Sequence, residues 1–479
     1  MLFNSYEFLL FLPIVFILYW FLFNKNLKWQ NALILSASYV FYGWWSYKFL
    51  LLLLFSTCLD YFYGFAVAQS NKKKSKAFVT LSVINNLGIL GIFKYYNFFA
   101  TEFKHAFSLL GIETNPLLLQ VALPIGISFY TFHGMSYIFD IYRGRQKPVK
   151  NIVDYAVFVS FFPLLVAGPI ERANHLLPQV QQKRVFNYNQ ALQGCRLILW
   201  GMFKKVVIAD GLARIVNDSY SNYTSYDSMA LFIGALSFSI QIYGDFSGYS
   251  DIALGTSKLF GFELLSNFRF PYFSRNIAEF WRRWHISLSS WFKDYLYIPL
   301  GGSKHGKLMA VRNTMIIFLV SGFWHGAKWN FIIWGFIHAC GFLPLLLLNR
   351  NRLHASTGVA HDHKYPTLKE LTQMTLTFMF VTFAWIFFRA NTLHEAGEYI
   401  KLLNPFYNTN NTIDTTFKNT VLFLVYSIPL LIGDWYLRRD ERVLRVPKNR
   451  VIRYLIYFIL AYLCFAMLND KSTFIYFQF

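Results

Sequence analysis

Long apolar runs separated by short polar loops recur from one end of the chain to the other. They are Glu7–Phe23, Gln30–Trp45, Phe49–Val67, Phe78–Phe99, Leu117–Tyr142, Tyr155–Pro169, Ala191–Ala209, Ser228–Phe246, Thr314–Leu348, Leu371–Phe388, Thr420–Leu437 and Ile452–Leu468. A helix crossing a bilayer needs about 20 such residues. The pattern predicts an all-α polytopic membrane protein with about 11 transmembrane helices plus re-entrant or interfacial helices. The first run lacks a basic n-region and a small-residue cleavage site, so a spanning helix is expected there rather than a removed signal peptide. Tyr155–Pro169 is short, whereas Thr314–Leu348 suffices for two crossings or for one crossing plus a re-entrant piece. Irregular backbone at membrane depth is tolerated only where it is buried in protein or lines a cavity, so these anomalies point toward a site.

Asn276–Leu300 departs from the spanning pattern because rings and cations alternate in it. Arg282, Ser289 and Lys293 fall on one helical stripe, and Phe280, Trp284, Leu288, Trp291 and Tyr295 on another. The expectation is a helix lying at the interface, rings in the acyl boundary and cations toward headgroups, ended by the Pro299-Leu300-Gly301-Gly302 turn.

Composition sharpens this picture. Of 479 residues, 55% are hydrophobic and only 14% charged, against about 25% charged in soluble domains. With apolar runs from end to end, a single membrane domain over residues 1–479 is expected. The net charge of +21 would suggest nucleic acid in a soluble protein. Here the basic residues sit in alternate loops, such as Lys72–Lys76, Arg143–Lys150 and Arg438–Arg453, as one membrane orientation requires. Lipid, not nucleic acid, is the expected surroundings, with both chain ends extracytoplasmic. An even number of twelve runs conflicts with that, so one run is expected to be re-entrant or Thr314–Leu348 to count differently. The four cysteines show neither a zinc spacing nor a disulfide framework, and no metal is expected.

From Thr314 to Leu348 the ionisable side chains are His325, Lys328 and His338, with a thiol at Cys340. An ionisable group inside a membrane span is costly and marks a functional-site hypothesis. His325 lies in Ser321-Gly322-Phe323-Trp324-His325-Gly326, where small neighbours leave room around the ring. A neutral imidazole there is a good general base for a hydroxyl attacking an acyl group. The plain alternative is a histidine bonded to a backbone carbonyl between helices. His285, in Trp281-Arg282-Arg283-Trp284-His285, can position a substrate or assist proton transfer; otherwise it is a headgroup-level side chain. Gly244–Asp251 sets Asp245 and Asp251 beside a span, with Ser247 and Tyr249 between them. These carboxylates can orient a histidine or bind a polar substrate, but pairing with the cations of Asn276–Leu300 is the favoured reading. Pro124–Tyr130 and Ala167–Arg172 are Pro/Gly breaks of the kind that line cavities, with Glu171 and Arg172 expected in structural pairs. The tail Asn469–Phe479 ends in alternating rings; it is an interfacial anchor, or it folds back to place the Tyr476 hydroxyl at a mouth of the site.

Together these segments resemble the membrane-bound O-acyltransferase family, in particular its bacterial alginate O-acetylation branch. The matching stretches are LPIGISFYTF, VAGPIER, DFSGYSDIALG, FWRRWHISLSSWFKDYLYIPLGG, RNTMIIFLVSGFWHGAKWNFIIWG, AWIFFRA and FIYFQF, covering nearly the whole chain in order. The resemblance implies a ring of helices around a central funnel, with His325 as the catalytic histidine and His285 as the second active-site histidine. It also implies Tyr476 as an acyl relay, with Asp245, Ser247, Tyr249, Asp251, Arg282, Trp284 and Trp324 lining or supporting the funnel. No tightly bound cofactor is expected. The donor would be acetyl-CoA or an acylated carrier protein on the cytoplasmic side of a bacterial inner membrane. The partner would be an extracytoplasmic polysaccharide O-acyltransferase. A transporter or flippase for a lipid-linked saccharide is the competing reading, since broken helices and buried ionisable groups also occur there; a non-catalytic scaffold is a third.

Overall fold

The computed structural model describes all residues except 121, 167, 355–357, 361–362, 409, 411, 469–473 and 476–479. Among the described residues the regular structure is entirely helical. In chain order the helices are α1 (Tyr6–Ile17), α2 (Leu27–Gly43), α3 (Tyr47–Gln69), α4 (Lys72–Leu90), α5 (Tyr96–Leu109), α6 (Ile127–Tyr142), α7 (Ile152–Ser160), α8 (Phe162–Leu165), α9 (Ala173–Gln181) and α10 (Tyr188–Met202). There follow α11 (Asp210–Ser221), α12 (Ser228–Leu259), α13 (Ile277–Arg283), α14 (Ile286–Phe292), α15 (Lys307–His325), α16 (Trp329–Leu347), α17 (Leu368–Arg389), α18 (Leu393–Leu402), α19 (Ile413–Leu437) and α20 (Arg450–Ala466).

Helix starts follow the sequence. Asn26, Asn71, Asn151, Asn276 and Asn449 each cap the helix after them through the side-chain oxygen. Thr367 and Glu370 close a reciprocal capping box on α17. Among the described residues, seven helices are long and apolar enough to cross a membrane. They are α3, the continuous Lys72–Leu109 helix, α12, and α15, α16, α17 and α19. Large rings project outward from several helices, with Phe21 77%, Phe417 72% and Phe465 73% exposed. Such a surface is tolerable only in lipid, and the chain is a polytopic membrane protein.

Two compact units divide the chain. The first comprises Met1–Cys195 and Ala253–Leu265. Its α3, α4 and α6 meet at Asp60, which accepts hydrogen bonds from Ser82 Oγ (2.8 Å) and Asn86 Nδ2 (2.9 Å). Gly134 lets α6 approach, since a Cβ there would sit 2.0 Å from the Asp60 carboxylate. The expected span Leu117–Tyr142 is shorter than the pattern suggested. Helix α6 starts only at Ile127, because Gly126 takes a left-handed φ of 75° with its Cα against the Leu165 carbonyl. Tyr155–Pro169 is likewise two pieces, α7 and α8, broken at Phe161 before a proline that cannot donate to the preceding turn. Glu171 is paired as expected, with the His175 ring at 2.7 Å.

The second unit comprises Arg196–Ile252 and Ser266–Phe479. The long apolar run Thr314–Leu348 resolves into the two helices α15 and α16, joined through Gly326–Lys328. They pack backbone to backbone: a Cβ on Gly322 would lie 2.1 Å from the Phe331 carbonyl, and one on Gly335 2.3 Å from that of Phe318. After α10 the chain makes a π-helical turn, Phe203–Ala209, which lies close on α12: a Cβ on Gly248 would be 2.9 Å from the Lys205 main-chain nitrogen.

Candidate active site

Asn276–Leu300 is not one interfacial helix. It is α13, a reversal at Trp284-His285, α14 and a π-turn over Lys293–Tyr297. The ring stripe faces the protein interior rather than the acyl boundary, for Phe280, Trp284, Leu288, Trp291 and Tyr295 are all buried. The physical reason is the break at His285, whose φ of 44° and ψ of 53° turn the chain inward. The Asn267 loop fixes that turn, accepting the Ile286 N–H on its carbonyl (2.9 Å) and the Ser287 hydroxyl on its side chain (2.6 Å).

His285 is thereby buried against Phe246, ring centroids 4.7 Å apart. Burial pushes its imidazole down to about 3, so the ring is neutral at physiological pH. Its other face meets the indole of Trp324 at 6.0 Å. Trp324 in turn lies 4.8 Å from His325, at the last turn of α15. His325 is 5% exposed, enclosed by Trp334 (5.1 Å) and Phe388 (5.3 Å). The two sequence-nominated histidines, 40 residues apart in the chain, therefore share one indole. His338 adds to the wall. It accepts a hydrogen bond from Trp281 Nε1 on Nδ1 at 3.3 Å and packs on Trp334 at 4.9 Å. The sequence shows it as a polar residue in a span, one turn after Trp334, but its neighbours come from other elements.

Several cavities open within this unit. One, of about 610 Å³, carries the cations Arg282, Lys293 and Arg352 at its rim and Trp281, Phe318 and Ser321 within. Ser321 is one helical turn before His325 on α15. Arg282, Ser289 and Lys293 line this cavity together although the break at His285 places them on α13, α14 and the π-turn and not on one helical stripe. Arg282 also lines an adjoining basic cavity with Arg283, Arg438, Arg439 and Arg442, and donates to the carbonyls of Asn351 (2.7 Å) and Leu353 (2.9 Å). At the end of α17 and the start of α19 a polar cavity of about 930 Å³ is lined by Asp210, Arg214, Arg389, Lys418 and Ile475 among others.

Asp245 and Asp251 do not pair with Asn276–Leu300. Asp251 meets Lys204 (2.5 Å) and Asp245 meets Lys205 (2.7 Å), which also holds Asp210 (2.7 Å). The π-turn is the reason, since it widens the helix and lets consecutive lysines both reach α12. These lysines sit inside an apolar run, and their being side by side hid the pairing from helical periodicity. Ser247 is buried on α12, and Tyr249 lies under Phe474 at 4.3 Å. Trp284 stacks among Phe280, Phe268 and Trp385, a supporting position. Tyr476 lies outside the described residues, but Phe474 and Ile475 just before it are buried in this unit.

Chemically the site offers two buried imidazoles beside a buried indole, with Ser321, one turn before His325, on the wall of a cavity. It can hold a hydroxyl and a carbonyl away from water, with a base at hand. The sequence pattern of the MBOAT, membrane-bound O-acyltransferase family, matches residues 34–360, a range that includes both histidines. The chain is 37% identical over 453 residues to a probable alginate O-acetylase AlgI of Pseudomonas syringae pv. tomato, covering 92% of this chain and 84% of that protein. It is 36% identical over 431 residues to a peptidoglycan O-acetyltransferase of Helicobacter pylori, covering 84% and 79%. A teichoic acid D-alanyltransferase of Bacillus subtilis is 28% identical over 285 residues, covering 57% and 70%.

Proposed function

We propose that this chain, which belongs to the membrane-bound O-acyltransferase family and is an O-acyltransferase, passes an acyl group through the bacterial inner membrane for O-acylation of an exported or cell-surface polysaccharide. The observation that carries this reading is the pair of buried histidines flanking Trp324, with an arginine-lined cavity and a polar cavity toward the two ends of α19 in the same unit. The whole chain, 1–479, acts as one acyltransferase domain. Its relatives' names, O-acetylase and O-acetyltransferase, favour acetyl.

The donor is a cytoplasmic thioester, acetyl-CoA or an acylated carrier protein, presented at the basic cavity of Arg282, Lys293 and Arg352. His325 takes the proton of an acceptor hydroxyl as that oxygen attacks the thioester carbonyl. The tetrahedral adduct collapses, the C–S bond breaks, and the leaving thiolate recovers the proton. His285, neutral and across the indole, positions the acceptor. Arg282, Trp284, Trp324, Ser247, Tyr249, Asp245 and Asp251 support the funnel. Tyr476 receives the acyl group and offers it at the outer cavity, where a secreted or membrane-anchored polysaccharide O-acyltransferase collects it.

The test compares ester-linked acyl content of polymer purified from wild type, a deletion strain and His325→Ala at equal protein level. Ester should fall in both mutants by about 100-fold or more, the usual scale for losing a general base, with polymer still exported. Normal ester in His325→Ala would mean a scaffold, and loss of the polymer itself would mean a transporter.

A further inference from the structure

The tail of the chain is held from within by charge. On α12, Asp245 presents one carboxylate oxygen to Lys205 Nζ at 2.7 Å. Its other oxygen accepts the main-chain N–H of Ile475 at 2.7 Å, across 230 residues of sequence. Lys205 also meets Asp210, at 2.7 Å. A buried carboxylate demands hydrogen-bond donors, and a backbone N–H is a donor that does not depend on side-chain identity. The neighbouring rings complete the seat. Phe474 lies 4.3 Å from Tyr249 and 6.3 Å from Phe246. Tyr249 has the Lys205 ammonium 5.8 Å from its centroid, and Phe246 touches His285. Phe474 and Ile475 are 1% and 4% exposed, so both side chains are buried in the seat.

We infer that Asp245 is a positioning residue whose target is the chain's own Phe474–Ile475 segment: the Lys205–Asp245 pair clasps the Ile475 backbone and so sets the register of Phe474 and Ile475 on the Asp245–Tyr249 turn of α12, beside the Phe246 ring that packs on His285. A carboxylate used in this way is committed to protein and is not available to a saccharide. What the register achieves for acyl transfer rests on the function proposed above; the clasp itself does not.

The experiment is amide hydrogen exchange on the full-length protein in detergent, resolved at Ile475 by fragmenting the C-terminal peptide. In wild type the Ile475 amide should exchange at least about 100-fold slower than the same amide unstructured. In Asp245→Ala it should approach the unstructured rate while the α15 and α16 amides keep theirs, a difference a general loss of fold would not give. Asp245→Asn keeps an acceptor of the same shape without charge and should fall between the two, since a neutral acceptor holds an N–H less strongly. Fast exchange at Ile475 in wild type overturns the clasp, as does slow exchange in Asp245→Ala. Should Asp245→Ala fail to accumulate, wild type and Asp245→Asn decide: equal protection in both overturns it. Polymer ester measured on the same strains separates the two ideas. Protection in wild type with ester unchanged in the deletion strain keeps the clasp and overturns the acyl-transfer reading. Ester lost in Asp245→Asn with wild-type exchange at Ile475 overturns the clasp and leaves that reading standing.

Discussion

Lys204 and Lys205 show how strongly a membrane interior constrains single side chains. Each ammonium is buried, and each has a carboxylate within 2.7 Å. Removing one member of a buried pair strands the other, which costs more than the pair gains by existing. Lys204→Met should therefore destabilise the protein by about 3 kcal/mol, seen as a lowered Tm in detergent. The double variant Lys204→Met with Asp251→Leu should recover most of that loss. If the single variant melts like wild type, Asp251 finds another cation and the pair is not a structural contact. His285 and His325 are instead packed among rings.

At the scale of elements, α15 and α16 depend on glycine where α4 does not. A methyl on Gly322 would collide with the Phe331 carbonyl at 2.1 Å, whereas one on Gly88 meets nothing within 4 Å. Gly322→Ala should cost about 1–3 kcal/mol by forcing the hairpin apart and should lower activity with it, because His325 ends that helix. Gly88→Ala should be neutral or gain about 0.5–1 kcal/mol; thermal unfolding of both variants checks the contrast. Such elements also mark what could be read in advance. The length of Thr314–Leu348 allows two helices or one helix with a re-entrant piece, and the structure takes the first; the stripe of Arg282, Ser289 and Lys293 presumes one continuous helix, which the structure breaks at His285. The inward turn at His285 was not legible, because a left-handed histidine has no sequence signature and its cause, the Asn267 loop, is a tertiary contact. The pairing of Asp245 and Asp251 was hidden for a similar reason. A π-turn shifts the helical register, so a 3.6-residue count points the two lysines apart.

Taken whole, the second unit has a strongly basic end and a mixed polar end. Helix α19, 25 residues long, runs from the polar cavity at Thr415, Lys418 and Asn419 to the arginine cavity at Arg438, Arg439 and Arg442, which shares Arg282 with the cavity of Ser289; its length is roughly 38 Å, enough to cross a hydrocarbon core. The two cavities should consequently be reachable from opposite sides of the membrane. In a background with Cys58, Cys195, Cys340 and Cys464 replaced by serine, Ser289→Cys should react with a membrane-impermeant thiol reagent only in inverted vesicles. Asn419→Cys should react only in intact spheroplasts. Labelling of both from one side would place the cavities on a common face and remove the basis for a relay.

The left-handed backbone at His285 has a practical side. Holding a β-carbon at a φ of 44° costs about 1–2 kcal/mol, and glycine is the residue for which that conformation is free. His285→Gly should therefore fold at least as well as wild type while leaving an imidazole-sized hole beside Phe246 and Trp324. Such a hole invites chemical complementation. Free imidazole added to membranes should restore acyl transfer to His285→Gly in a dose-dependent way, turning a strained turn into a keyhole through which the second histidine can be supplied, withheld or exchanged for analogues of different basicity.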